Sequence, residues 1–463
     1  MIAKYPVPAT GRPATPGGTR RSLILAGGGM RVAYQAGVVR ALHEHGLRFQ
    51  HADGTSGGTM NLAMMLSGLA PEEMCQRWRA LDVRDFASLL PLRMYARGPA
   101  DLPALGGPEG VVKRVFPHLG IDLDRIRATR GIQGTFNVCN YTSKTSEVIP
   151  HQELELPLLV AAISLPIFMP PVPHKGCLYM DSVWIRDANL LEAVRQGSDE
   201  IWVVWCIGNI GEYLNGAFNQ YVHMIELSAN GNLFKELAQI AALNERIKAG
   251  EVIDGRTEPI RVHIIHPEFP LPLDPDYYRG RIDGATLVDR GYRDATQYLA
   301  RMNPAGVALD ADATRMRDPR AGLMLRISLT GSLGAKPCRL DIAVEIDELA
   351  AFLADAGHGA RLSGRITCPG IGDQLPATGG AIDFGRLLKL EMGFRAAEGE
   401  IRLFAEGSIR SLRIVFGAAQ GKLRPGWGGL LAAALSLHAT GAQGLGLRMR
   451  TVARFWRFVL FGS

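Results

Sequence analysis

The sequence predicts an α/β protein with a largely parallel sheet flanked by helices, followed by a small, mostly β C-terminal domain. Three observations lead to this prediction. Apolar runs of strand length alternate with helical stretches, the first two runs each end in a glycine-rich turn that leads into a helix, and short alternating strands replace this pattern after about Pro304. With 463 residues, 47% of them hydrophobic, the chain is too apolar to be disordered and has room for two or three domains.

Two strand-turn-helix units begin the N-terminal domain. The apolar run 22–26 stops at Gly27-Gly28-Gly29 and a helical pattern covers 33–45, while the second unit runs through 53–58 into a helix at 60–66. Further buried strands are predicted at 135–139, 201–207 and 260–265, with a long helix at about 221–248. Strands separated by helices favour a mostly parallel sheet.

Composition and patterning divide the chain into five parts. We expect a flexible N-terminus at 1–19, an α/β domain at 20–304, a linker at 305–322, a small β domain at 323–415 and a basic, apolar segment at 416–463. In the small β domain, strands are predicted at 325–330, 340–344, 361–367, 390–395 and 401–405, with a helix at 348–356 and a tight turn at Glu398-Gly399.

The charge of the chain is unevenly distributed. The net charge is +6, and the last 54 residues, 410–463, contain eight basic residues and no acidic one. A stretch of one sign among apolar residues indicates contact with phosphate groups of lipid or nucleic acid, and a soluble domain with basic edges is the alternative.

The six cysteines predict neither a zinc site nor a disulfide scaffold, because they are far apart and form no C-x-x-C pair. Cys206 lies in an apolar run, which is typical of a buried reduced thiol. The sequence has no signal-peptide core and no uncharged apolar run of about 18 residues. We therefore expect a cytoplasmic protein without a transmembrane helix, metal or cofactor, either soluble or peripheral at a membrane.

The pentapeptide Gly54-Thr55-Ser56-Gly57-Gly58 fits the pattern G-x-S-x-G. A serine nucleophile must project from a sharp strand-to-helix turn, and small flanking residues permit the strained backbone. The N–H of Gly57 and the start of the following helix could then stabilise an oxyanion. Alone the pattern is a weak signal, and its position between a strand and a helix strengthens it.

The glycine run Gly27-Gly28-Gly29, followed by Met30-Arg31, also lies between a strand and a helix. It could form a phosphate cradle, an oxyanion hole facing the serine, or a tight turn that needs positive φ. The sequence fits neither G-x-G-x-x-G nor G-x-x-x-x-G-K-[ST], which weakens the phosphate interpretation.

Together these motifs resemble the patatin-like phospholipases over about residues 20–300. The resemblance rests on the glycine run with Arg31 and Gly37, on the Ser56 pentapeptide, and on the apolar stretch 161–172, which is similar to the family's Ser-x-x-Pro-x-x-Phe-x-Pro segment. The family's catalytic aspartate follows that segment, and here Asp181 stands at the matching place. The sequence departs from the family pattern at Val32 and Ser182, where glycine is common.

The resemblance implies a lipid acyl hydrolase with a Ser–Asp dyad on a patatin-like sandwich, and no cofactor. Ser56 would attack the ester carbonyl of a phospholipid or other acyl lipid, and Asp181 would accept its proton. The resemblance further implies an oxyanion hole whose donors are the N–H groups of Gly27, Gly28, Gly29 and Gly57. It implies supporting roles for Arg31, Gly54 and Gly58. A catalytically inactive lipid-binding protein and an acyltransferase with the same dyad remain alternatives.

A Ser–His–Asp triad is the rival arrangement, with His263 or His266 as the late histidine. Two other acidic residues are weaker candidates for the base. Asp53 precedes the serine and is expected to cap or turn the chain, and Asp187 is expected to bind backbone at the start of the next helix.

The C-terminal end combines arginines with aromatic residues. Arg448, Arg450, Arg454, Trp456 and Arg457 are candidates for contact with an anionic membrane surface. A helix docked on its own domain through Val452, Phe455, Val459 and Leu460 is the alternative, and nucleic acid is not expected. The segment 320–415 resembles the small β domain appended to some sterol-oxidase-type and patatin-like lipid proteins, which implies a lipid-handling accessory module.

Overall fold

The structure is a computed structural model that describes residues 18–95, 98, 101–384, 387–396, 399–408, 411–416, 419–425, 433, 436–441 and 445–461. Most of the predicted flexible N-terminus and Glu398 of the predicted turn lie outside these residues. The chain divides into two compact units: the first comprises residues 1–36, 42–271 and 302–316, and the second 37–41, 272–301 and 317–463. No helix within the described ranges is long and apolar enough to cross a membrane.

The first unit is built on an eight-stranded mixed sheet. Its strands are β1 (Arg21–Leu25), β2 (His51–Gly54), β3 (Gln133–Asn140), β4 (Thr145–Pro150), β5 (Val172–His174), β6 (Cys177–Asp181), β7 (Glu200–Val204) and β8 (Arg261–Ile265). They lie in the order β5-β6-β3-β2-β1-β7-β8, with β4 also on β3. Five neighbouring strands are parallel, namely β3, β2, β1, β7 and β8. The strands β4, β5 and β6 form antiparallel pairs.

Helices connect and cover these strands. They are α1 (Ala33–Glu44), α2 (Gly58–Leu66), α3 (Pro71–Ala80), α4 (Leu92–Tyr95), α5 (Phe116–Leu119), α6 (Leu123–Ala128), α7 (Leu156–Ala161), α8 (Leu190–Arg195) and α9 (Ala217–Lys248). The 32-residue α9 buries Leu233, Leu237 and Ile240 against β7, where Ile201 and Val203 are fully buried. Because β7 is apolar on both faces, it lies in the interior of the sheet, as its sequence predicts.

The strand register sets three chain segments side by side. β1 and β2 are parallel neighbours, so the turns after Leu25 and Gly54 leave the sheet at the same edge. Gly54 pairs with Phe136 of β3, and Val138, two residues further along, pairs with Asp181 of β6. Asp181 therefore lies level with the residue two positions beyond Gly54, which is Ser56.

The second unit contains a closed antiparallel sheet. Its strands are β9 (Gly322–Leu333), β10 (Lys336–Ile346), β11 (Gly359–Cys368), β12 (Gly372–Asp383), β13 (Leu388–Ala396), β14 (Gly399–Ser408), β15 (Ser411–Phe416), β16 (Ala419–Pro425) and β17 (His438–Thr440). Each strand from β9 to β16 pairs with the next, and β16 pairs back onto β9 to close an eight-stranded barrel, with β17 on the end of β9. Alternating apolar side chains such as Leu340, Ile342 and Val344 fill its interior.

The second unit also contains helices. They are α10 (Asp274–Tyr278), α11 (Gly284–Arg301), α12 (Leu349–Ala354) and α13 (Leu445–Phe461). Glu345 on β10 is buried and accepts ion pairs from Arg290 and Arg293 of α11 at 2.8 and 3.3 Å. These cations, with Arg361, hold the pKa of Glu345 at about 2 despite the opposing effect of burial. The outer face of the sheet is thus joined to α11 by buried charge.

The α/β class with a second, mostly β domain is confirmed, and several details differ from the expectations. The five predicted strands fall within β9, β10, β11, β13 and β14, whereas β12, β15, β16 and β17 are additional. Residues 302–316 are part of the first unit, where the N–H of Val307 donates to the carbonyl of Val262, so most of the expected linker is packed structure.

Cys338 and Cys368 form a disulfide, which the sequence analysis did not predict. Neighbouring residues of β10 and β11 pair as Arg339 with Thr367, which sets the two cysteines directly opposite each other. Their Cα atoms are 4.5 Å apart, as in a non-hydrogen-bonded antiparallel pair. Sequence spacing alone could not show this proximity, because 30 residues separate them.

Candidate active site

Ser56 lies on a sharp turn between β2 and α2. Its φ is 51°, a left-handed conformation that is uncommon for a residue with a side chain. The neighbouring glycines are needed for close packing. A Cβ on Gly58 would lie 2.1 Å from the carbonyl oxygen of Leu25, and one on Gly54 would lie 3.1 Å from Cα of Thr59. The pentapeptide is therefore glycine-rich because the turn is pressed against β1 and the start of α2.

Asp181, at the end of β6, faces Ser56. The Ser56 hydroxyl donates to Oδ2 of Asp181 over 2.6 Å, and the backbone N–H of Val183 donates to Oδ1 over 2.9 Å. The carboxyl is only 1% exposed. Burial raises the pKa of Asp181 to about 7, and the hydrogen bonds from Ser56 and Val183 oppose that rise. A carboxylate with this pKa is a stronger base than an ordinary aspartate.

The glycine run after β1 forms the wall opposite this pair. Gly28 has φ 156° and Gly29 has φ 58°, and a Cβ built on Gly27 would lie 3.0 Å from Cβ of Ser56. Gly29 begins a 3₁₀ turn and Gly57 precedes α2, positions where backbone N–H groups have no intrahelical acceptor. Within the part of the chain that the structure describes, the N–H groups of Gly28, Gly29 and Gly57 make no hydrogen bond.

Gly27 does not fit the role of oxyanion donor that the sequence analysis gave it. Its N–H donates to both carboxyl oxygens of Asp187, each at 3.1 Å. Asp187 is fully buried, and burial with the nearby charge of Asp181 raises its pKa to about 8. Asp187 thus binds backbone, as expected, but the backbone of the glycine run rather than that of the following helix. Sequence could not indicate this contact, because 160 residues separate the two.

Two further side chains fix the glycine run. Nε of the buried Arg31 donates to the carbonyl of Gly28 over 2.9 Å, so Arg31 steadies the run from within it. Nε2 of Gln35 donates to the carbonyl of Ala26, and Oε1 of Gln35 accepts from Asn61 on α2. The buried amide pair Gln35–Asn61, which the sequence analysis did not single out, therefore connects the glycine run to the helix behind Ser56.

Asp53 links the end of β2, just before the serine turn, to the neighbouring strand β3. Its two carboxyl oxygens accept from Thr135 and Asn137 of β3, each at 2.6 Å, and Asn137 also donates to Thr55. Burial raises the pKa of Asp53 to about 7, against the effect of these hydrogen bonds. Asp53 is therefore a structural residue bonded to the neighbouring strand, and it makes no contact with Ser56 that would suit a base.

The two departures from the family pattern are accommodated without backbone strain. Neither Val32 nor Ser182 has a positive φ, so neither position requires glycine in this chain. Val32 is fully buried against the serine turn, since a Cβ on Gly57 would lie 2.7 Å from its Cγ1. The Ser182 hydroxyl hydrogen-bonds that of Ser146 over 3.0 Å.

The histidine alternative has no support in the geometry. His263 lies on β8, which β1 and β7 separate from β2, so at about 4.8 Å per strand it is roughly 14 Å from the Ser56 strand. Its ring stacks on Trp202 with centroids 4.3 Å apart. His266 hydrogen-bonds the carbonyl of Pro267. Over the described residues, no group of three or more histidine, cysteine or acidic side chains could hold a metal ion.

A cleft of about 750 Å³ lies elsewhere in the first unit. It is lined by Thr19, Asp199 and Ile260, which precede β1, β7 and β8. These are the amino ends of parallel strands, whereas Ser56 follows the carboxyl end of β2. The cleft therefore lies at the opposite edge of the sheet from the Ser56–Asp181 pair.

The C-terminal candidates lie on α13 of the second unit. Arg450, Arg454, Trp456 and Arg457 are exposed and Arg448 is half-buried. The helix docks on its own unit through Phe455, which is 3% exposed, with Val452 and Phe458 packed beside it. The side chains of Val459 and Leu460 lie outside the described residues. The docked helix and the exposed basic face of the sequence analysis are therefore two faces of one element.

The fold and the site together define a class of α/β protein in which a serine on a strand-to-helix turn is hydrogen-bonded directly to a buried aspartate. Residues 23–194 match the family model described as patatin-like phospholipase, and the resemblance noted in the sequence is confirmed over that range. The similarity of this region to that family supports lipid acyl ester hydrolysis as the general activity.

VipD from Legionella pneumophila is a solved structure similar to this chain, at 13% identity and a TM-score of 0.32, with 61% of this chain and 67% of that chain covered. Similarity of this extent is too weak to support an argument about either protein. No curated protein matches the chain.

Proposed function

We propose that the protein hydrolyses acyl esters of lipids, with Ser56 as nucleophile and Asp181 as general base. The observation that most supports this proposal is the 2.6 Å hydrogen bond from the Ser56 hydroxyl to a buried carboxyl of raised pKa. A serine hydroxyl is a weak nucleophile until a base within hydrogen-bond reach removes its proton. Asp181 meets that geometric requirement directly, without an intervening histidine.

In the first half of the reaction, Ser56 Oγ attacks the ester carbonyl carbon while its proton passes to Asp181. The carbonyl oxygen becomes an oxyanion, and we assign the N–H groups of Gly28, Gly29 and Gly57 as its hydrogen-bond donors. Removing one such donor typically costs ~100- to 1000-fold in rate. When the tetrahedral intermediate collapses, protonated Asp181 gives its proton to the leaving alkoxide, and an acyl-serine remains.

In the second half, water replaces the leaving alcohol. Asp181, again ionised, accepts a proton from water as the water oxygen attacks the acyl carbon. Collapse of this second intermediate returns the proton to Ser56 Oγ and releases the fatty acid. One carboxyl thus serves alternately as base and acid, which requires a pKa close to the working pH.

We also propose that α13 contacts anionic lipid through its exposed face. Arg450, Arg454, Trp456 and Arg457 are exposed on this helix, whereas Phe455 is buried. Each basic residue close to an anionic surface contributes about 1 kcal/mol to binding, and this contribution falls with added salt.

The decisive experiment compares wild type with Ser56→Ala and Asp181→Asn on a short-chain p-nitrophenyl ester and on phospholipid vesicles. We expect turnover by wild type only, and covalent labelling of Ser56 by an organophosphonate. An inert wild type whose Ser56 resists the phosphonate would refute the hydrolase and favour a lipid-binding protein. Labelling with transfer of the acyl group to an added alcohol in preference to water would identify an acyltransferase.

A further inference from the structure

Large apolar side chains are exposed on three segments of the first unit that adjoin Asp181. We name this surface the apolar rim. Its members are Ile167 and Phe168 in the turn after α7, Ile185 after β6, and Phe218, Met224 and Leu227 near the start of α9. Leu227 is 75% exposed and Met224 is 58% exposed. Large exposed apolar side chains grouped around one site mark an interaction surface more often than they mark ordinary protein surface.

Direct contacts connect the three segments to the site. The backbone N–H of Asp181 donates to the carbonyl of Ser164, at the start of the turn that carries Ile167 and Phe168. The hydroxyl of Tyr221 on α9 donates to the carbonyl of Pro166 over 2.9 Å. The ring of Tyr221 also meets Phe168 and Trp184 edge-on, each with centroids 5.8 Å apart. The turn, the segment after Asp181 and α9 therefore meet at Tyr221.

Electrostatics supports the same proximity. Burial raises the pKa of Tyr221 to about 12, with a smaller contribution from the negative charge of Asp181. The phenol stays neutral at any physiological pH, so the junction between the rim and the site carries no charge of its own.

The charge of the segments indicates which surface the rim fits. Residues 156–174 contain no Asp, Glu, Lys or Arg, and residues 196–234 contain no Lys or Arg. The segment after β6 has a cation beside Ile185, Arg186, whose Nε lies 2.9 Å from a carboxyl oxygen of the buried Glu236. Met224 and Leu227 are three residues apart on a helix and so lie on one face. An apolar face whose adjacent cation is paired with a buried carboxyl suits the boundary of a lipid layer without net charge, since that cation is not available to an anionic head group.

We infer that the apolar rim is a docking surface for a zwitterionic phospholipid layer, through which acyl esters reach Ser56. This inference rests on the proposed function for its account of what the docking serves. It differs from the proposed contact through α13, because docking by the rim needs no anionic lipid and persists at high salt. The occupant is a lipid surface; a second copy of the chain is the competing outcome of the test.

The test measures co-flotation of protein with phosphatidylcholine vesicles, in Ser56→Ala protein so that no lipid is consumed. The double variant Met224→Ser/Leu227→Ser removes two exposed apolar side chains. The matched control is Val252→Ser. Val252 is 67% exposed and lies beyond the far end of α9, a helix about 48 Å long at 1.5 Å per residue. We expect the double variant to partition about tenfold or more weakly and the control to be unchanged.

Other outcomes decide against the inference. Equal partition of the double variant and the control would overturn it, as would binding that appears only when anionic phosphatidylglycerol is added. A dimer of the parent protein that the double variant converts to a monomer, with unchanged flotation, would assign the rim to a second copy. Should the double variant have a lowered unfolding midpoint, Ile167→Ser replaces it in the same assay. The proposed function is tested separately by wild-type turnover of the soluble p-nitrophenyl ester, which does not require docking to a lipid layer.

Discussion

Asp181→Asn should stabilise the protein at alkaline pH while abolishing turnover. Burial raises the pKa of Asp181 from 3.8 to about 7 in the folded protein. A carboxyl with a higher pKa in the folded state binds its proton more tightly there, so ionising it lowers stability. This loss is absent below about pH 4, grows as the pH rises, and is complete above about pH 7. Three pKa units correspond to about 4 kcal/mol in the free energy of unfolding.

Asparagine cannot ionise and escapes this loss. Relative to wild type, Asp181→Asn should therefore gain up to about 4 kcal/mol of stability between pH 4 and pH 8. The assay is urea unfolding at both pH values, followed by the fluorescence of Trp78, Trp184, Trp202 and Trp205, which all lie in the first unit. The exposed Asp101 provides a control, Asp101→Asn, for which no such gain is expected.

The same carboxyl should govern activity in wild type. Because Asp181 must be ionised to accept the Ser56 proton, kcat/KM on a soluble ester should fall about tenfold per pH unit below about pH 7. A stability difference between Asp181→Asn and wild type that is the same at pH 4 and pH 8 would refute the reasoning. A kcat/KM that is flat from pH 5 to pH 8 would do so independently.

Two further predictions concern the glycine run. Gly57→Ala would bring a Cβ within 2.5 Å of the carbonyl oxygen of Gly29, so the run must shift, and we expect kcat to fall ~100- to 1000-fold; Gly231→Ala on α9, where a Cβ meets open space, should leave kcat unchanged. At pH 4, where the raised pKa of Asp187 keeps its carboxyl protonated in the folded protein, Asp187→Ala removes the acceptor of the buried Gly27 N–H and should cost about 1–3 kcal/mol in urea unfolding, whereas Asp187→Asn keeps an acceptor and should cost less. Equal losses for the alanine and asparagine variants would show that this acceptor does not matter.

Local motifs made most of the site predictable. The glycine run, the Ser56 turn and Asp181 are each encoded within a few residues, because each depends on a tight turn or a strand end. Contacts between distant segments could not be predicted from such local motifs. The pairing of Gly27 with Asp187 and that of Asp53 with Asn137 depend on how β1, β2, β3 and β6 lie side by side in the sheet.

The second unit shows where strand patterns fail. β12 contains Pro376 and three glycines, so it lacks the β-branched alternation by which strands are recognised. The sequence also did not predict that residues 272–301 belong to the second unit. The helical pattern of α11 does not show which element the helix packs against. That partner is revealed by ion pairs to Glu345, more than 50 residues away.

The closure of the β sheet by its last long strand has a consequence for how the chain folds. Residues 421–425 of β16 pair with 333–329 of β9, so closure must wait until almost the whole second unit has been synthesised. Pairing over such sequence separation is slow, and until it occurs β9 and β15 are unprotected edges that can template aggregation. Nascent or truncated chains that end before β16 should therefore depend on chaperones for solubility far more than the finished protein does.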